Sequence, residues 1–189
     1  MDRHLHFIGF SGSLRKESLN TKLLNAAAGF LPDGVSMEIV SIKDIPQYNG
    51  DLDEPDAAER PVAVQIFRQA LAKADAFVIV SPEYNNSIPG VLKNAIDWAS
   101  RGEDSPLLNK PVALMGATPG IWGTVRMQAA FLPVFKTLRM LSVQKPEVLL
   151  SQGDKKFDST GKLLDEVAAN LIGKQLLALK ELSIKMSQI

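Results

Sequence analysis

Three short segments of this chain carry residue types and spacings that can do chemistry. The first, residues 11–21, reads Ser-Gly-Ser-Leu-Arg-Lys-Glu-Ser-Leu-Asn-Thr. One glycine permits a tight turn, several hydroxyls can donate to anionic oxygens, and Arg15 adds a charged fork at the start of a helix. Free backbone N–H groups and the helix dipole favour an anion at such a place. The segment lacks the Gly-Lys-Ser/Thr of a Walker A loop and the G-x-G-x-x-G of a dinucleotide fingerprint. A hydroxyl-rich loop of this kind suits a terminal monophosphate better than a pyrophosphate. The alternative for Ser18 or Asn20 is plain helix capping.

The second segment, residues 81–90, is Ser-Pro-Glu-Tyr-Asn-Asn-Ser-Ile-Pro-Gly. Two prolines stiffen it, so its backbone N–H and C=O groups can be held for the edge of a flat heterocycle. Tyr84 offers an aromatic wall, or alternatively covers the core. The third, residues 117–123 (ATPGIWG), is rich in small side chains that let a planar ligand approach the backbone. Trp122 either lines a pocket or packs at a subunit contact.

Other chemistry is excluded or poorly supported. The 189-residue chain has no cysteine, which removes thiol nucleophiles, disulfides and cysteine-ligated metals. Its only histidines, His4 and His6, sit in the first predicted strand, well before that strand's end, and read as structural. No metal site and no catalytic side chain is expected. Lys+Arg and Asp+Glu both number 21, so the excess positive charge of a nucleic-acid protein is missing. No apolar run approaches the ~20 residues of a membrane span, and residues 1–10 are too short and polar for a signal peptide. The expected compartment is the cytoplasm.

The elements that must position these segments alternate. Strands are predicted at 4–10, 36–41, 76–81, 112–117 and, weakly, 147–150. Helices are predicted at 20–31, 61–74, 89–100, 124–141 (kinked or broken at Pro133) and 163–185. Residues 42–60 read as a long surface loop and 153–161 as a polar turn. The buried stripe of the second helix is read as Val62, Ile66, Phe67, Ala70, Leu71 and Ala74, and the last helix carries Leu164 and Val167. This order predicts a single α/β domain over 1–189, a doubly wound five-stranded parallel sheet with helices on both faces. Such a sheet binds ligands beyond the carboxyl ends of its strands, where the three segments fall.

Residues 12–20 (GSLRKESLN) and 81–101 (SPEYNNSIPGVLKNAIDWASR) resemble the NADPH-dependent FMN reductase family of the flavodoxin-like fold, and within it the bacterial chromate and quinone reductases. The resemblance runs from the first strand to the final helix. It implies that Ser13, Arg15 and Asn20 hold the FMN phosphate with Ser18 close by. Pro82, Glu83, Tyr84 and Asn85 would lie along the isoalloxazine, largely through backbone groups. Thr118 is carried over by position, whereas Ile121 and Trp122 depart from the family pattern.

The implied activity is ping-pong hydride transfer from NADPH or NADH, through flavin N5, to a small-molecule electron acceptor: quinones, and chromate, azo dyes or free flavin. Arg101, directly after the third helix, is a candidate for attracting an anionic substrate, or else a cation beside a helix C-terminus. The helix carrying Lys93, Asn94, Asp97 and Trp98 is implied in a homodimer or homotetramer interface, with a core role for Trp98 equally open. Two other functions on the same fold stand against this reading. A flavodoxin-type electron carrier is usually strongly acidic, and this chain is neutral; a non-catalytic FMN-binding or sensor module would bind flavin without turnover.

Overall fold

The computed structural model describes residues 3–53 and 60–188; residues 54–59 of the predicted long loop lie outside the described residues. Strands are β1 (Leu5–Ser11), β2 (Val35–Ile39), β3 (Ala76–Val80), β4 (Pro111–Ala117), β5 (Leu141–Ser142) and β6 (Val148–Leu150). Helices are α1 (Leu19–Ala28), α2 (Val62–Ala72), α3 (Gly90–Ala99), α4 (Val125–Thr137) and α5 (Glu166–Met186).

All strand pairs are parallel, in the order β2-β1-β3-β4, with β5 and β6 sharing the fifth position beside β4. The chain leaves β1 outward to β2 and returns to β3 on the other side, so the switch point lies between β1 and β3. β3 (AFVIV) and β4 (PVALMGA) are buried throughout, as strands covered on both faces must be. One face packs Leu5, Phe7, Val78, Val80 and Met115 against α1 and α5. The other packs Ile8, Phe10, Ile79 and Leu114 against α2, α3 and α4.

The structure corrects several sequence expectations. The fifth strand is interrupted: β5 pairs with Pro111 and Val112, β6 with Met115 to Ala117. Between them Pro146, which has no N–H to donate, leaves the ladder. The buried Gln175 of α5 fills the gap, its Nε2 donating to the carbonyls of Leu114 (3.3 Å) and Pro146 (2.9 Å). Helix α4 runs through Pro133 without a break and stops at Thr137 instead of 141. Arg139, at φ +51°, turns the chain, and the Met140 N–H returns to the Phe135 carbonyl as in a Schellman end.

Helix α5 starts later than predicted, capped by Asp165, whose Oδ1 accepts from the Ala168 N–H at 2.8 Å. Leu164 and Val167 are consequently exposed. In α2 the inward face is Val64, Phe67, Arg68 and Leu71, while Val62 and Ile66 are 70% and 61% exposed. A buried arginine takes the place an apolar stripe assigns to an aliphatic side chain.

Candidate functional site

Because β1, β3 and β4 run parallel, their carboxyl ends share one edge, and all three chemistry-bearing segments leave from it. The first turns tightly at Gly12, where a Cβ would lie 2.7 Å from Ser81 Oγ and 2.8 Å from Leu92. The Gly12 N–H bonds the Val80 carbonyl, tying the loop to β3. Ser13 is buried, and its hydroxyl accepts the Arg15 N–H at 3.4 Å. Among the described residues the amides of Leu14, Lys16 and Glu17 find no acceptor, and Arg15 is exposed with no ion pair.

Ser18 and Asn20 are both engaged with backbone groups of the chain. Ser18 Oγ accepts from the N–H groups of Asn20 (3.2 Å) and Thr21 (3.3 Å), the capping alternative realised. The buried Asn20 amide faces β4: Nδ2 donates to the Ala117 carbonyl at 2.9 Å and Oδ1 accepts the Ala117 N–H at 2.8 Å. Both side chains therefore fix where helix α1 starts, and Asn20 does so against the root of the third loop.

The second segment closes as a two-residue turn. Asn85 and Asn86 both have positive φ (49° and 61°), and Tyr84 and Ser87 exchange backbone hydrogen bonds. Asparagine tolerates the left-handed region better than most residues, and two such residues make a type I′ turn. The ring of Tyr84 projects, 44% exposed, and the amides of Glu83 and Asn85 have no acceptor among the described residues. The Glu83 side chain turns to α4 instead. Its Oε2 accepts from the N–H groups of Arg126 (2.9 Å) and Met127 (3.0 Å), and its Oε1 meets the Arg126 guanidinium at 3.3 Å. A carboxylate from a neighbouring loop thus caps a helix whose own Thr124 makes no side-chain cap.

The third segment is held close to the sheet. A Cβ at Gly116 would collide with Thr124 Oγ1 and come within 2.6 Å of the Ser81 carbonyl. Gly123 has φ +62° and abuts Leu149. Thr118 accepts from the Gly120 N–H at 3.2 Å, so its hydroxyl shapes its own loop. Trp122 stands 64% exposed, with the Arg126 guanidinium 5.4 Å from its ring centroid.

Arg101 does not join this group within the chain. Helix α3 starts at the carboxyl edge and must return to the amino end of β4, so its ten residues carry Arg101 about 15 Å away. There its guanidinium lies 4.8 Å over the Tyr48 ring, which packs edge-on against Trp98. Tyr48 donates to Asp53, and burial with that bond pushes its hydroxyl pKa up, so it stays protonated. Trp98 is fully buried and its Nε1 donates to the Pro46 carbonyl at 2.8 Å, a core role. Asn94 pins the same loop, accepting from the Tyr48 N–H and donating to Pro46. His4 and His6 meet Ser36 (3.0 and 3.2 Å) at the amino end of β1, far from the site.

Sequence reasoning missed Arg68, which gathers the carbonyls of Trp98, Ala99 and Arg101 at the end of α3 and pairs with Asp104 at 2.9 Å. Nothing local in the sequence marks a side chain that caps a helix distant in the chain.

A parallel sheet of order 2-1-3-4-5 with a hydroxyl-rich loop and a stiff hairpin at its switch point defines the flavodoxin-like class of α/β proteins. The model of the NADPH-dependent FMN reductase family matches residues 5–155, and the chain belongs to that family. It is an FMN-dependent NAD(P)H oxidoreductase. It is 43% identical to an NAD(P)H-dependent FMN reductase of Pseudomonas aeruginosa over 95% of this chain and 96% of that one. It is 42% identical to an NAD(P)H:quinone oxidoreductase of Solanum tuberosum, covering 94% and 92% of the two chains. Among solved structures it matches the NAD(P)H:acceptor oxidoreductase FerB of Paracoccus denitrificans with a TM-score of 0.85, at 30% identity over 96% of this chain and 98% of the other. Among the described residues no helix is long and apolar enough to cross a membrane.

Proposed function

We propose that this chain is a quinone reductase with resident FMN, in which NAD(P)H and the acceptor use one open site in turn. The observation that carries the reading is the set of donors beside α1 with no partner among the described residues, the Leu14, Lys16 and Glu17 amides and the Arg15 guanidinium, on the same sheet edge as the projecting Tyr84 ring. That donor set fits a phosphate, and the hairpin beside it fits the edge of a flat ring, so the residues present suit FMN.

Arg15 and the Ser13 hydroxyl would hold the phosphate, with Asn20 and Ser18 positioning the loop that carries them. Backbone groups of Pro82, Glu83, Tyr84 and Asn85 would meet the ring, and Thr118 shapes the opposite wall. When bound, FMN supplies hydride acceptance and release at N5. The chain then needs no nucleophile or general base of its own, which agrees with an edge whose described loops contain neither cysteine nor histidine. Glu83, held by α4, fixes the second loop against the third and keeps the gap between them constant. The exposed edge leaves solvent able to deliver the proton that a reduced quinone takes up. On this reading residues 1–189 form one cytoplasmic FMN-binding domain, which assembles as a homodimer or homotetramer.

Steady-state oxidation of NADPH with 1,4-benzoquinone tests the proposal. Parallel double-reciprocal lines are expected for substrates that alternate at one site. Intersecting lines would refute the alternation, and bound flavin without turnover would point to an electron carrier or a sensor.

A further inference from the structure

Each of the three loops at the carboxyl edge carries a large apolar side chain in the open: Leu14 on the first, Tyr84 on the second, Ile121 and Trp122 on the third. A single exposed apolar residue is ordinary, whereas several gathered at one edge mark apolar surface that a ligand or partner covers. β3 lies between β1 and β4 in the sheet. With the phosphate beside the loop after β1 and the flavin ring along the loop after β3, the loop after β4 borders the ring on the side away from the phosphate. It stands one strand spacing, ~4.8 Å, further along the edge. Ile121 and Trp122 are where that loop departs from the family pattern, so a flavin common to the family does not account for them.

The indole is carried on a fixed backbone. The Thr118 N–H donates to the Leu150 carbonyl, the Gly153 N–H to the Thr118 carbonyl and the Gln152 N–H to the Gly120 carbonyl, each at 2.9 Å. Gly123 then turns the chain at positive φ against Leu149. Trp122 stands four residues before Arg126, across the turn that leads into α4. The Arg126 guanidinium lies 5.4 Å from the indole centroid, and its Nη1 donates to Glu83 Oε1 at 3.3 Å. Contacts thus run from the second loop through Glu83 and Arg126 to the indole, and Arg126 acts as a positioning residue. A guanidinium over one face of a tryptophan is a favourable arrangement that leaves the other face open. Among the described residues no second ring or cation meets that indole. A tryptophan so held offers a large flat surface at little cost in side-chain freedom.

We propose that the open face of Trp122 receives the outer ring of a fused-ring quinone, so that this residue selects bicyclic acceptors over single-ring ones. The proposal rests on the quinone reductase reading and names the acceptor class for that site. The quinone ring takes a hydride from the reduced flavin and a proton from solvent and becomes the hydroquinone. Its fused ring takes no part in that exchange, overhangs toward β4 and stacks on the indole. A 1,4-benzoquinone has no such ring and gains little from the contact.

Two measurements on the FMN-loaded enzyme test the assignment. The first needs no turnover. The chain has two tryptophans, and Trp98 is fully buried, so emission from an exposed indole belongs to Trp122. 1,4-Naphthoquinone added without nucleotide should quench that emission saturably, and the saturable part should be missing in Trp122→Phe. Quenching that rises without saturation, or the same saturable quenching in the variant, would overturn the proposal.

The second compares kcat/KM for 1,4-naphthoquinone and 1,4-benzoquinone, with NADPH as donor, in the wild type and Trp122→Ala. The expected loss is about ten-fold for the naphthoquinone, carried by KM, and about two-fold for the benzoquinone, as a lost aromatic pair and the area it covers imply. Trp122→Phe should recover most of the naphthoquinone loss. Equal losses for the two quinones, or none for either, would overturn the assignment. Loss of FMN, or slower bleaching of the flavin by NADPH, would give the indole to the flavin or the nicotinamide and would overturn it too. So would a smaller assembly in sedimentation with the quinone preference intact, which would give the indole to an interface between copies. Failure of the underlying reading looks different: wild-type protein that holds no FMN or reduces neither quinone.

Discussion

The two edges of the sheet treat their charged groups in opposite ways. At the amino edge, charges are spent on the protein itself. Arg3 pairs with Asp75 at 2.6 Å, Lys110 donates to the Ala74 carbonyl at 2.7 Å, and Arg68 caps α3. Arg101 rests on Tyr48. At the carboxyl edge, among the described residues, Arg15 has no carboxylate partner, several amides have no acceptor, and Tyr84 and Trp122 project. The carboxyl-edge polar groups that are committed, Ser18, Asn20 and Glu83, are committed to holding loops in place. Unsatisfied polar groups cost free energy when buried and little when exposed. An edge that gathers them in the open, on a rigid frame, is arranged for a ligand.

Substitutions can break this contrast, and the largest effect belongs to the amino edge. Arg68→Ala strands the carbonyls of Trp98, Ala99 and Arg101, and is expected to cost about 3–5 kcal/mol in urea unfolding, at about 1–3 kcal/mol for each buried group left unpaired. The affinity of the remaining folded protein for FMN should be unchanged; a parallel loss of FMN affinity would erase the distinction between edges. Arg15→Ala should do the reverse. It should weaken FMN binding by about 1.5–3 kcal/mol, the range for a charged hydrogen bond, while apo-protein stability moves by less than about 0.5 kcal/mol. Unchanged affinity in a fluorescence titration would remove Arg15 from the phosphate site.

Asn20→Asp sharpens the comparison from between the two. Its new carboxylate keeps the acceptor for the Ala117 N–H but confronts the Ala117 carbonyl, so a stability loss of about 1–3 kcal/mol is expected. FMN lost with no change in the apo protein's midpoint would instead put Asn20 on the phosphate.

The smallest effect concerns Asp165, whose pKa is lowered first by its hydrogen bond to Lys156 and then by the Ala168 N–H. A lowered folded pKa means that its contribution is present above the unfolded value, ~3.9, and is lost as pH falls through the folded one. Asp165→Asn should therefore flatten stability against pH in that acid range only; an equal loss at neutral and acid pH would show that the charge is immaterial.

Much of this was legible in the sequence because the informative residues are consecutive. The buried runs AFVIV and VALMGA mark strands covered on both sides, and the three ligand-edge segments follow strands directly. What escaped is long-range or locally ambiguous. Arg68 and Asn94 act on backbone groups of distant elements, and Glu83 caps a helix 43 residues away. In α2 both Val62–Ile66 and Val64–Phe67–Leu71 satisfy helical spacing, and only packing chose the second. The two-residue strand β5 is too short to leave a periodic signal.

The central claim, that the unspent groups of the carboxyl edge hold a redox-active flavin, is tested most directly by the absorption spectrum of the purified protein before and after anaerobic NADPH. The account predicts bands near about 370 and 450 nm that bleach on addition, as a bound flavin accepting hydride requires. A colourless protein that also takes up no added FMN would contradict it.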